Sequence, residues 1–268
     1  MITRILTAVV LIPLAVALVL WAPQWLFFLG LLPFGLLALW EYLELMGRVG
    51  AAPARLPVYL VALLVWFVAA YDSRQLLGVL VAGSLVLFLA AVLRRGGVAE
   101  IPSNAAAGVF SLLYVAAPFA LMVELRGAGG SWMLLYLLIL VWVGDTAAYF
   151  VGRALGRRKL APTLSPGKTV EGTVGSIVVT VAAGYWLFQT WFAPSGAAAL
   201  HGWLLPLVVN VSSQLGDLAE SALKRSAGVK DSSSLLPGHG GMLDRVDGLL
   251  FAAPALWYYW TVLIRGGF

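Results

Sequence analysis

The residues best suited to chemistry lie in the last quarter of the chain. Asn210, Ser213, Asp217, Glu220, Ser221 and Lys224 recur at steps of three or four. On a helix that spacing places them along one face. The segment after them runs from Ser221 to Asp247 and holds three kinds of group. Lys224, Arg225, Lys230 and Arg245 can neutralise phosphate oxygens. Gly238, Gly240 and Gly241 allow close backbone approach, so that amides can point at an anion. Asp244 and Asp247 sit three apart, on one face of any helix that begins there. With Asp217 they could form an oxygen-rich pocket for a hard cation; Mg²⁺ typically takes one or two carboxylates plus water and phosphate oxygens.

A second polar stretch reads Leu164-Ser165-Pro166-Gly167-Lys168-Thr169-Val170-Glu171-Gly172. Its Gly-Lys-Thr invites comparison with a phosphate-binding loop, but that motif needs a glycine five residues before Gly167 and a preceding strand. Position 162 is Pro162, and no strand is expected, so a nucleoside-triphosphatase reading is rejected. Asp145 lies within an apolar run. An ionisable group inside a membrane span is by default a functional hypothesis, and Asp145 is expected at the site.

These groups have to be positioned by apolar helices. Of the 268 residues 62% are hydrophobic and 11% charged, against about 45–50% and about 25% in soluble domains. A spanning helix needs about 20 apolar residues. About nine candidate segments follow: 5–21, 25–46, 57–71, 75–93, 106–125, 132–152, 173–192, 203–220 and 247–264. The first is read as a retained helix and not a cleaved signal, because its apolar run continues through Trp21. With a cytoplasmic N-terminus, only Arg74, Arg126 and Arg265 of the 17 basic residues fall outside; the other fourteen fall inside, as the positive-inside bias requires. The fold class is therefore all-α, a polytopic membrane protein with its C-terminus outside. Two organisational parts are expected: helices 1–130 as a scaffold with possible dimer contacts, and a catalytic region 131–268 with cytoplasmic loops 153–172 and 221–246. There is no cysteine, which excludes disulfides and thiol chemistry. The basic run Arg157, Arg158 and Lys159 suits anionic headgroups. Glu41 and Glu44 carry no role that the sequence makes legible.

The 27 residues from Ser221 to Asp247 resemble the signature of phosphatidate cytidylyltransferases. The match comprises Ser-x-Leu-Lys-Arg, then Lys-Asp, then Pro-x-His-Gly-Gly, then Asp-Arg-x-Asp. The Ser-Pro-x-Lys-Thr-x-Glu-Gly loop and the Gly-Asp-Thr element around Asp145 are also similar to that family. The resemblance implies an integral membrane enzyme of phospholipid biosynthesis, usually dimeric and dependent on Mg²⁺. It would condense CTP with phosphatidate, with no nucleic acid involved, at a cytoplasmic active site in a bacterial inner membrane. The family's metal-binding acids map onto Asp217 and Asp244, with a second, monovalent cation such as K⁺ implied near them. Its polar and basic substrate residues map onto Ser165, Lys168, Ser221, Lys224, Arg225 and His239.

For such a reaction the nucleophile is a phosphate oxygen already anionic near neutral pH. Catalysis then becomes positioning plus electrostatic stabilisation, so Asp217, Asp244 and Asp247 are assigned as metal ligands and not as bases. Lys168, Lys224 and Arg225 are expected to act on phosphates and not on folding. Asp145, Lys230 and Arg245 complete the expected substrate shell. The rival readings are a CTP-dependent polyprenol kinase, with a similar C-terminal region, and an ion-coupled transporter. The complete signature disfavours the first. The absence of a sequence repeat disfavours the second.

Overall fold

The computed structural model describes residues 13–94, 97–128, 130–192, 199–235 and 240–266. It is almost entirely helical and divides into two compact units. The first unit holds residues 1–128 and 223–246, and the second holds 129–222 and 247–268.

In the first unit, helix α1 covers 13–21 among the described residues. It is followed by α2 (Gln24–Arg48), α3 (Arg55–Tyr71), α4 (Leu76–Leu93), α5 (Ile101–Ser111) and α6 (Ala117–Ala128). Arg126 closes the α1–α2 turn: Nε donates to the Val19 carbonyl at 2.9 Å, and Nη1 to Gln24 Oε1 at 2.7 Å. Its guanidinium also lies 4.8 Å from the Phe27 ring centre, a cation–π contact. A π-helical turn, Leu112–Ala116, joins α5 to α6 just before Pro118. Such wider turns tolerate the amide that proline lacks. There the Trp66 indole donates to the Ala116 carbonyl at 2.8 Å, and Tyr42 donates to the Ala107 carbonyl at 3.0 Å.

In the second unit, α7 (Ser131–Leu155) packs along α8 (Val170–Trp191). The helix α9 (Ala199–Ser226) begins here, as does most of α10, which starts at Leu243 and continues past Tyr258 as a π-helix, Tyr259–Ile264. Polar side chains stitch the helices together. Ser176 donates to the Gly144 carbonyl at 2.8 Å, Asn210 donates to Ser176 at 2.9 Å and Thr180 at 3.0 Å, and Gln214 donates to Asn210 at 2.6 Å. Gly144 has to be glycine, since a Cβ there would lie 3.1 Å from the Thr180 hydroxyl and closer still to Asn210.

Five of the described helices are long and apolar enough to cross a membrane: Gln24–Arg48, Ser73–Leu93, Val98–Gly127, Ser131–Leu155 and Val170–Trp191. The helix α3 is apolar but has 17 residues, and α9 has 28 but a polar half. The first expected span lies partly outside the described residues. On α3, Leu56, Leu60, Leu64 and Phe67 face outward while Val58, Ala62, Val65 and Trp66 are buried. An apolar outer surface of that kind suits lipid and not water.

One expectation is corrected. A short antiparallel hairpin, β1 (Lys159–Ala161) with β2 (Ser165–Thr169), precedes α8. The Gly-Lys-Thr lies within β2, so it does not form a loop between strand and helix, and the phosphate-loop reading remains excluded. Two carboxylate oxygens of Glu171 hold the hairpin's entry, accepting from the Arg157 amide at 3.0 Å and the Arg158 amide at 3.2 Å. Thr169 caps α8 by accepting the Gly172 amide at 3.1 Å.

Candidate active site

The expected residues are distributed over both units, and each unit is described by itself. In the second, β2 carries Lys168 and α9 carries Asp217, and their side chains form an ion pair at 2.7 Å. They are partly exposed, 23% and 37% respectively. Ser165 opens the same strand and is half-buried. The polar stripe of α9 faces protein, as its spacing requires: Asn210, Ser213, Glu220 and Ser221 are buried. Asp247 is half-buried on the first turns of α10, and one of its carboxylate oxygens accepts the Gly248 amide at 2.7 Å. A Cβ at Gly216 would strike the Asp247 backbone, and one at Gly248 would strike Ser213, so these glycines set how closely α9 and α10 approach. Asp145 sits on α7 with its side chain on an exposed face.

In the first unit, Lys224, Ser232 and Gly241 of the signature gather around one carboxylate, Asp244. Lys224 donates to Asp244 Oδ1 at 2.5 Å. Asp244 Oδ2 accepts three further donors: the Ser232 amide at 2.9 Å, the Ser232 hydroxyl at 2.7 Å and the Gly241 amide at 2.8 Å. The pair is well shielded, with Lys224 12% and Asp244 7% exposed. Burial works to raise the Asp244 pKa. The Lys224 ammonium and the Gly241 and Ser232 donors outweigh it, and hold the carboxyl down at about 2. It is therefore an anion at any working pH.

Two glycines make the wrap possible. Gly240 has φ +74, a conformation open to glycine at little cost, and a Cβ there would also lie 2.8 Å from Asp244 Oδ2. At Gly241 a Cβ would run into the Ser232 hydroxyl and the Glu41 carboxylate.

Lys224 is thus not available only to phosphates, as its sequence context suggests. It also neutralises a shielded acid, so its removal should cost stability as well. Lys168 is likewise engaged by Asp217. Arg225 donates to the Val229 carbonyl at 3.0 Å and is exposed, as are Lys230 and Arg245. His239 lies outside the described residues.

Glu41, whose role is not legible in the sequence, is fully buried in α2 and reaches Ser232 and Ser233 of the signature. Its membrane-helix setting was the one signal that could have found it, by the same rule that singled out Asp145. Glu44 has a plainer role, pairing with Arg55 at 2.7 Å on an exposed surface.

Among the described residues no three His, Cys, Asp or Glu side chains gather into a ready metal cluster. The candidate donors Asp217, Asp244 and Asp247 are nonetheless hard carboxylate oxygens, the class that Mg²⁺ takes. The donor chemistry fits that ion.

Comparison with known proteins agrees over almost the whole chain. A family model described as Cytidylyltransferase family matches residues 2–263. A phosphatidate cytidylyltransferase of Brucella suis biovar 1 is 39% identical over 267 residues, covering 97% of this chain and 93% of that protein. One of Haemophilus influenzae is 45% identical over 139 residues, 50% of this chain and 48% of that protein. One of Bacillus subtilis is 43% identical over 148 residues, 54% of each.

Proposed function

The chain belongs to the cytidylyltransferase family, and on that premise we infer that the site described above serves the transfer of CMP from CTP to phosphatidate. The reaction gives CDP-diacylglycerol and pyrophosphate, and the protein is an integral membrane nucleotidyltransferase. The observation that carries this reading is the match of residues 2–263 together with the complete signature from Ser221 to Asp247.

The chemistry is governed by charge. A phosphate oxygen of phosphatidate attacks the α-phosphorus of CTP; that oxygen–phosphorus bond forms, and the bond to the bridging oxygen of the β-phosphate breaks. The electrons leave with pyrophosphate. The nucleophile is already anionic, so no strong base is needed. The obstacle is the approach of two anions. Lys168 and Lys224 are each held by an aspartate, which fixes their ammonium groups in direction before substrate binds. Charges preorganised in that way cost little reorganisation during reaction. Arg225, Lys230 and Arg245 are exposed cations that can take outlying phosphate oxygens, and Asp145, Ser165, Ser221 and His239 are proposed as polar substrate contacts.

Asp217, Asp244 and Asp247 are the residues that would hold Mg²⁺, which would supply neutralisation of the triphosphate and of the leaving pyrophosphate. Support comes from the signature and the carboxylate donor class. A second, monovalent cation such as K⁺, a homodimer, and an inner-membrane setting with the site facing the cytoplasm complete the proposal. The asymmetry of basic residues supports that orientation. A single cysteine at Ala227 should react with an impermeant maleimide in inside-out vesicles and not in right-side-out ones; the reverse would refute the orientation.

The reaction is tested with purified protein, cytidine-labelled CTP and phosphatidate. Label should enter the lipid fraction only when phosphatidate is present. Label incorporation that is independent of phosphatidate would overturn the reading.

A further inference from the structure

We propose that Glu41 is a positioning residue of the transfer reaction, a buried clamp on the signature loop that sets Asp244 and, through it, Lys224. The proposal rests on the reaction assigned above. Glu41 sits about two turns before the end of α2, with none of its surface exposed. It is 191 to 202 residues away in sequence from the groups it binds. Oε1 accepts from the Ser233 hydroxyl at 2.6 Å and the Met242 amide at 2.9 Å. Oε2 accepts from the Ser232 hydroxyl at 2.9 Å and the Leu243 amide at 2.6 Å.

Both ends of the loop are therefore fastened to one carboxylate. Leu243 is the first residue of α10, where backbone amides have no partner within the helix. Glu41 supplies acceptors from a different helix, at the end of α10 where the dipole favours an anion. Ser232 links this clamp to the reactive part: the same hydroxyl that lies 2.9 Å from Glu41 lies 2.7 Å from Asp244 Oδ2. A hydroxyl has one proton and donates to one carboxylate at a time, so the two acids compete for a single side chain and their positions are coupled. The Ser232 amide and the Gly241 amide then complete the hold on Asp244.

Glutamine cannot replace this group. Met242 donates to one oxygen and Leu243 to the other, so either orientation of an amide sets its NH₂ against a backbone N–H. Glu41→Gln should keep the volume of the side chain while loosening the loop.

The chain has no cysteine, so a single spin label reports cleanly. Ser234→Cys labels the exposed loop beside the clamp, and Leu77→Cys labels α4 as a control. In Glu41→Gln, kcat per folded protein should fall by about tenfold to a hundredfold, the range that misplacement of about 1 Å produces. KM for both substrates should change by less than about threefold, because the loss is of alignment. The label at 234 should become more mobile and the label at 77 should not. A kcat within twofold of the wild type, or an unchanged spectrum at 234, would overturn the proposal. If Glu41→Gln fails to fold, Ser233→Ala decides the matter, since it removes one bond of the four: a several-fold loss of kcat with a looser label at 234 supports the clamp, and wild-type behaviour in both overturns it. Failure of the reaction itself would show in the unsubstituted protein, and failure of the positioning role only in the variants.

Discussion

Lys224 and Asp244 form a pair whose structural and catalytic contributions can be separated. Both side chains are shielded, and the ammonium lies 2.5 Å from Oδ1. In Lys224→Met, Asp244 Oδ2 keeps the Ser232 and Gly241 amides and the Ser232 hydroxyl that it shares with Glu41, but the carboxylate loses the Lys224 counter-charge. In Asp244→Asn, the amide oxygen can serve those donors only if its NH₂ faces the ammonium, which takes the aspartate counter-charge from a shielded cation. Breaking a buried pair from one side costs about 3–5 kcal/mol; the remaining donors place Lys224→Met near the lower end, at about 3 kcal/mol. In the double variant the asparagine oxygen keeps all three donors and its NH₂ meets an apolar neighbour. Its stability should lie above that of either single variant, because the pair is removed from both sides, but about 1–3 kcal/mol below the wild type, because the amide NH₂ has no acceptor. Activity should not return. An electrostatic group removed from a transition state typically costs about a hundredfold to a thousandfold, so all three variants should fall at least that far per folded protein. The assay is a thermal midpoint in detergent beside CDP-diacylglycerol formation. Recovery of activity along with stability in the double variant would show that the pair only holds the fold. A double variant less stable than either single one would refute the pairing argument itself.

The other expectations are more direct. Lys168→Met and Asp217→Asn break a partly exposed pair, so each should cost under about 1 kcal/mol in stability while lowering turnover about tenfold or more; a thermal midpoint that drops with turnover intact would contradict a substrate role. Gly241→Ala should displace Ser232 or Glu41 and reduce activity by more than about tenfold, as misalignment does; full activity would mean that the wrap around Asp244 is dispensable. Exhaustive chelation should abolish product formation and added Mg²⁺ should restore it, with Ca²⁺ a poor substitute because it favours longer bonds and more ligands; undiminished turnover after chelation would refute the metal proposal.

Much of this was legible because it is local. Periodic apolar runs and their breaks outline helices without any knowledge of their partners, and the polar stripe of α9 announced a face that is buried at Asn210, Ser213, Glu220 and Ser221. The signature is a contiguous string, so its glycines and charges could be read in order. What escaped depends on long-range contacts. Glu41 acquires its meaning from Ser232, Ser233 and the start of α10, about 200 residues on. Lys224 looked like a phosphate ligand because its neighbours in sequence are cations, whereas its partner in space is Asp244. The hairpin at Ser165–Thr169 is too short and too rich in Pro and Gly to show a strand pattern, and it exists because Glu171 and the start of α8 pin its ends.

The central claim is that the α-phosphorus of CTP is the atom attacked. Parallel reactions with CTP labelled at the α- or the γ-phosphate, in the presence of phosphatidate, test it most directly. The account predicts α-label in the lipid product and γ-label in released pyrophosphate. Lipid that carries the γ-label would contradict it and identify a kinase.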